Sequence, residues 1–82
     1  MMDGLKLIVL SPEETLVDTS VSSVSLPGTL APFTVLPGHA PIISSLEEGD
    51  IAYVCEEGEM SVHISSGFVE VLDNKVIATV EK

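Results

Sequence analysis

The sequence predicts an all-β fold, a small antiparallel β-sandwich of two packed sheets with short strands and tight hairpins, and three observations predict it. Over residues 60–65, Met60, Val62 and Ile64 alternate with Ser61, His63 and Ser65, the period-two pattern of a strand with one buried and one wet face. Turn-forming residues recur at close spacing along the whole chain. No apolar stripe repeats with the period of a helix.

The elements follow in chain order. Residues 15–27 are serine-rich, with apolar Leu16, Val17, Val21, Val24 and Leu26, and read as two short strands around a polar bend. In residues 36–43 (Leu36, Pro37, Gly38, His39, Ala40, Pro41, Ile42, Ile43) each proline holds its own φ near about −65° and pushes Leu36 and Ala40 to extended geometry. Gly38 supplies the turn, so His39 rides on a rigid corner before a strand that starts at Ile42. Glu47, Glu48, Gly49 and Asp50, and again Glu56, Glu57, Gly58 and Glu59, read as two hairpin tips. Between them Ile51, Tyr53 and Cys55 share one face and Ala52 and Val54 the other; such a two-sided apolar strand suits a sandwich interior or a docking surface. Asp73 and Asn74 separate Val69 and Val71 from Val76, Ala78 and Val80, and a two-residue turn there pairs Val71 with Val76 on one face. Asn tolerates the positive φ that such a turn demands.

Composition narrows the function. The 82 residues make room for one small domain, read as 1–82 with its strands running from about Lys6 to Glu81, of modest intrinsic stability. Apolar residues are 45% of the chain, and the longest apolar runs are too short to cross a bilayer. Met1, Met2, Asp3 and Gly4 lack the basic and apolar regions of a secretion signal. A single cysteine, Cys55, cannot form an internal disulfide, which favours a reducing, cytosolic setting. Thirteen acidic residues against three lysines and no arginine give a formal net charge of −10. Nucleic acid, anionic lipid and ATP phosphates are therefore disfavoured ligands, and a basic protein partner is the functional reading of the acidic surface.

Catalytic chemistry is hard to assemble from these residues. His39 and His63 are far apart, and neither belongs to a metal-ligand motif, so no metal or other cofactor is expected. The acidic tips lack the alternating ligands of a calcium loop. Cys55 lies in an apolar strand with no basic neighbour and reads as a small buried hydrophobe. His39 reads as a structural corner bonded to a backbone carbonyl, compatible with a loop that touches a protein partner. Phe33, Tyr53 and Phe68 are the aromatics, read first as core, with one at a sandwich edge able to anchor an interface.

The octapeptide at 36–43 resembles the signature loop of the epsilon subunit of bacterial and chloroplast ATP synthases. The likeness covers almost the whole chain: an apolar first strand from Leu5 to Leu10, a Ser11, Pro12, Glu13 corner, residues 24–28, residues 46–49, and Ser66, Gly67, Phe68, Val69, Glu70, Val71. This resemblance implies a noncatalytic β-sandwich at the foot of the rotary central stalk, bound to the γ subunit and resting on the c-ring, with the catalytic head as an indirect partner. It further implies a peripheral place on the cytoplasmic side of the bacterial inner membrane, without direct lipid insertion. The interface it suggests comprises Thr29, Leu30, Ala31, Pro32, Phe33, Leu36, His39 and Ile42. Two departures stand out. Pro32 occupies the place of a glutamate that relatives often carry near the c-ring, so a charged contact there is not carried over. The sequence reaches Lys82 directly after its last strand, without the helical hairpin that family members commonly add, so hairpin-based inhibition and ATP sensing are not carried over from the resemblance. A free-standing β-sandwich adaptor or ligand-binding module is the alternative from another class.

Overall fold

The structure, a computed structural model, describes residues 4–82, and the reading of Met1, Met2 and Asp3 as lacking a secretion signal lies outside the described residues. Among the described residues nine strands form: β1 (Leu5–Leu10), β2 (Thr15–Val21), β3 (Ser23–Leu26), β4 (Phe33–Val35), β5 (Ile42–Leu46), β6 (Gly49–Cys55), β7 (Gly58–Ile64), β8 (Ser66–Leu72) and β9 (Lys75–Glu81). They build a five-stranded sheet in the order β2-β1-β9-β8-β5 and a four-stranded sheet in the order β4-β3-β6-β7.

The two sheets close on one hydrophobic core. Alternate residues point inward along each strand: Leu5, Leu7 and Val9 from β1, Val69 and Val71 from β8, and Val76, Ala78 and Val80 from β9. Val24, Leu26, Val35, Ile51, Tyr53 and Ile64 face them from the other sheet. The prevalence of valine and isoleucine suits this packing, because β-branched side chains fit a pleated, buried surface at little rotamer cost.

Turn chemistry explains most of the chain's course. Asp73 and Asn74 adopt φ of 52° and 62°, the paired positive values of a two-residue hairpin turn, and Val71 sits opposite Val76 as the alternation requires. Glu56 and Glu57 turn β6 into β7, helped by Gly58 at φ 112°. Ser22 is the polar bend that carries the chain from the five-stranded sheet to the four-stranded one, and its N–H donates to the Val54 carbonyl at 2.9 Å.

Five expectations are corrected. Residues 47–50 do not form a hairpin tip: β5 and β6 lie in different sheets, so this segment is a corner that crosses the sandwich. Its local pattern matches that of residues 56–59, and local chemistry specifies that the chain reverses without specifying which sheet receives the next strand. Gly49 serves close approach here, since an added Cβ would lie 3.0 Å from the Pro27 Cβ. Pairing is antiparallel except between β1 and β9, which run parallel; these strands are joined through all the intervening chain, so no tight turn dictates their relative direction. Along β7 the alternation has the expected phase, but burial fades from Ile64 through half-buried Val62 to Met60, 43% exposed, because β7 is an edge strand and Met60 lies toward the hairpin tip. Phe68 is 66% exposed on the outer face rather than in the core, and Cys55 is only half-buried.

Removal of a core side chain should therefore cost far more than removal of an edge one. Ile64→Ala is expected to lower unfolding free energy by about 2–5 kcal/mol, and Met60→Ala by less than about 1 kcal/mol, as read from urea titration.

Candidate functional site

The eight residues proposed as an interface fall into two groups. Thr29, Leu30, Ala31, Pro32 and Phe33 belong to the connection from β3 into β4. Its base is pinned: the Thr29 N–H donates to the Ser45 carbonyl at 3.1 Å, the Thr29 and Ser45 hydroxyls lie 2.6 Å apart, and the Glu47 N–H donates to the Pro27 carbonyl at 2.9 Å. Phe33 is half-buried and packs against the core. Leu30 is 100% exposed at the apex, beside exposed Ala31 and Pro32.

Leu36, His39 and Ile42 belong to the connection from β4 to β5. The His39 N–H donates to the Leu36 carbonyl at 3.1 Å, closing a turn with Pro37 in the second position and Gly38, at φ 84°, in the third. That is a type II turn, whose third position needs positive φ. His39 is half-buried, and its Nδ1–H donates to the Ala40 carbonyl at 2.7 Å, which sets the tautomer and holds the ring on the corner. Leu36 is exposed, while Ile42 is half-buried against the core.

Asn74 ties this corner to the five-stranded sheet, a role the sequence reading missed. Its side-chain oxygen accepts the Gly38 N–H at 2.7 Å, and its carbonyl accepts the Lys6 N–H at 3.0 Å. One left-handed residue thus joins the histidine corner, the β8–β9 turn and the start of β1. The two groups are held toward opposite ends of β5, one beside Ser45 and the other at Ile42.

Between those ends lies a surface that sequence reading did not single out. Across the outer face of the five-stranded sheet, one row of paired residues runs Ile43, Glu70, Ile77, Ile8, Asp18, and the next runs Ser45, Phe68, Thr79, Leu10. Ile43 is 78% exposed and Leu72 48%, and Ile8, Leu10 and Ile77 are half-buried. An open depression of about 680 Å³, lined by Leu10, Pro12, Phe68 and Thr79 among others, reaches Ser45, to which Thr29 is bonded. The apolar face is therefore continuous with the 27–32 connection at one end and borders the histidine corner through Asn74 at the other. The signal was present: with Val69 and Val71 inward, Phe68 and Leu72 must point out.

The opposite face of the sandwich has another character. Ser23, Ser25, Thr34, Ala52, Val54 and Ser61 cover it, and the Ser25 and Thr34 hydroxyls lie 2.9 Å apart. On its outer edge His63 is exposed between two carboxylates, with Nδ1 2.8 Å from Asp50 and Nε2 3.5 Å from Glu48. Hydrogen bonds to Asp50 first and Glu48 second raise the His63 pKa above its ordinary value of 6.5. Cys55 donates weakly from Sγ to the Gly58 carbonyl at 3.6 Å, a structural contact. Among the described residues no group of three or more His, Cys, Asp or Glu is placed to hold a metal ion, and no helix is long and apolar enough to cross a membrane.

Comparison with known proteins adds an independent line. The family model for the β-sandwich domain of the ATP synthase delta/epsilon chain matches residues 4–82. The ATP synthase epsilon chain of Lawsonia intracellularis is 38% identical over 81 residues, covering 99% of this chain and 61% of that one. The ATP synthase epsilon chain of Desulfitobacterium hafniense strain DCB-2 is 44% identical over 76 residues, 93% of this chain and 58% of that one. The chain thus spans about three fifths of the length of the curated relatives it matches. Among solved structures, a chain of the Euglena gracilis mitochondrial ATP synthase superposes with a TM-score of 0.89 at 21% identity, covering 100% of this chain and 53% of that one. A chain in the Tetrahymena thermophila mitochondrial ATP synthase central stalk and c-ring structure gives 0.80 at 13% identity, covering 98% and 65%. At those identities the structural likeness speaks for the fold.

Two measurements check this geometry. Asn74→Gly keeps the positive φ but removes the acceptor for Gly38; it should cost about 1 kcal/mol and speed hydrogen exchange at the Gly38 amide, while Asn74→Ala should cost about 1 kcal/mol more from left-handed strain. NMR titration of the His63 ring should give a pKa above 6.5 that falls toward it in Asp50→Asn. Because the folded value is the higher one, the contribution of this contact to stability is complete below the unfolded pKa and is lost as pH rises through the folded pKa.

Proposed function

This chain belongs to the ATP synthase delta/epsilon chain β-sandwich family, and from that membership we propose that it is a noncatalytic subunit of the central stalk, which couples proton flow to ATP synthesis without doing chemistry itself. In this reading residues 1–82 make one β-sandwich domain, bound to the γ subunit through the outer face of the five-stranded sheet. The connections carrying Thr29, Leu30, Ala31, Pro32 and Phe33, and Leu36, His39 and Ile42, meet the c-ring, and the catalytic head is reached indirectly. The subunit is peripheral to the membrane through the complex, on the cytoplasmic side of a bacterial inner membrane.

The observation that carries the reading is the contrast between the two outer faces. Hydroxyl-rich surface stays hydrated at no cost, whereas Ile43, Phe68 and Leu72 leave large apolar side chains in water on one face. Burial of such side chains contributes on the order of 1.5–3 kcal/mol each before the costs of association. Leu30 and Leu36 extend apolar surface to the connections at the two ends. Pro32 brings no charge, so contact with the c-ring at this point runs through shape, apolar packing and backbone groups.

Size-exclusion chromatography with mass detection, on this chain mixed with the γ subunit of its own organism, should show a stable one-to-one complex. Phe68→Ala should weaken that complex by about 10-fold to 100-fold in calorimetric titration, and Ser61→Ala, on the opposite face, should leave it unchanged. Two folded proteins that fail to associate would remove the stalk assignment.

A further inference from the structure

One side chain in the apolar outer face does not fit a purely hydrophobic contact. Glu70 sits in the middle of β8, with Ile43 directly opposite on β5 and Ile77 directly opposite on β9. Phe68 and Leu72 lie two residues away on the same strand and the same face. A carboxylate is therefore ringed by four apolar side chains on the surface that has the most to gain from being covered. Cβ atoms of directly paired residues lie about 4.5–5.5 Å apart, so no partner can bury Ile43 and Ile77 while leaving Glu70 fully hydrated.

The chain supplies little to neutralise that charge. Lys6 pairs with Asp18 at 2.9 Å and Lys82 with Glu14 at 3.2 Å. Lys75 lies diagonally across from Glu70, on the rim of a shared shallow depression of about 300 Å³, but the two make no ion pair in the structure. A carboxylate desolvated without a partner opposes binding more than one flanking apolar side chain favours it.

We propose that Glu70 selects the partner of this face: the surface that docks there is apolar with one arginine or lysine placed to meet Glu70. The inference rests on the preceding assignment of this face to γ and names the chemistry γ must present. Complementarity of charge favours a cation over a neutral donor, since the chain carries a net charge of −10 and attracts basic surfaces from a distance. The same carboxylate keeps two copies of this chain apart, because face-to-face pairing about a twofold axis would bring one Glu70 toward the other in an apolar setting.

The test is calorimetric titration of γ with the unsubstituted chain, Glu70→Gln, Glu70→Leu, Lys75→Met and Phe68→Ala, at low and high salt, alongside mass detection of each chain alone. Glu70 is exposed, so the folded state should survive, as thermal unfolding will verify. Glu70→Gln is expected to weaken γ binding by about 10-fold or more and to flatten its salt dependence, with Lys75→Met near the unsubstituted value. Glu70→Leu alone should self-associate at concentrations where the unsubstituted chain stays monomeric. If Phe68→Ala weakens binding while both Glu70 variants bind as the unsubstituted chain does, the docking face stands and the role of Glu70 is overturned. A loss in Lys75→Met equal to that in Glu70→Gln would place the pairing cation on this chain and overturn the proposal. Absence of binding by the unsubstituted chain overturns the γ assignment and this inference with it.

Discussion

The register of β8 against β9 governs both faces of the five-stranded sheet. Asp73 and Asn74 at positive φ leave room for one pairing only, and that pairing puts Val69, Val71, Val76, Ala78 and Val80 into the core. Because side chains alternate with period two, a slip of one residue on β9 would exchange its valines for Lys75, Ile77 and Thr79. The same register places Phe68, Glu70 and Leu72 outward in a row against Ile77 and Thr79. β9 lies between β1 and β8, so its phase is passed to β1 and then to β2. Core and apolar outer face are thus two sides of one geometric decision made in two residues.

Asn74 extends that decision beyond the sheet. A glycine could adopt its φ, but only a short side chain with an acceptor can also hold the Gly38 N–H. The histidine corner is therefore built from two kinds of rigidity: covalent, in Pro37 and Pro41, and hydrogen-bonded, through Asn74 and the His39 ring. At the other end of β5 the Thr29 and Ser45 pair does comparable work. The outer face thus lies between two connections that hydrogen bonds hold in place, which is the arrangement that keeps the ordering cost of a contact there low.

Fold class was legible in the sequence because period-two alternation and turn chemistry are local. The pairing of Val71 with Val76 could be read from the two turn residues between the runs. What local signals do not carry is sheet membership: Glu47, Glu48, Gly49 resembles Glu56, Glu57, Gly58 as a string, yet one crosses the sandwich and the other closes a hairpin. The bond from Gly38 to Asn74 joins residues 36 apart, and nothing near either residue announces it. Phe68 is a different case, since its outward direction follows from Val69 and Val71, and the tendency of aromatics to pack in cores obscured it. The candidate interface was legible as two connections, while the apolar face that links them required the sheet order.

The parallel pairing of β1 with β9 has a consequence for biosynthesis. A ribosome delivers β1 first and β9 last among the nine strands, with β2 to β8 made in the interval. Until residues 75–81 emerge, the five-stranded sheet can form no more than two separate ladders, β1 with β2 and β5 with β8, divided by an empty lane. The edges of β1 and β8 that face the lane have unpaired backbone groups, and their valines and leucines have no neighbouring strand to pack beside. Closure must therefore wait for residues 75–81, and it joins the first of the nine strands to the last, the long-range pairing with which small β proteins fold slowly. In the cell, the nascent chain carries its two open edges through that interval, where a chaperone or an early-binding partner has its opportunity to act.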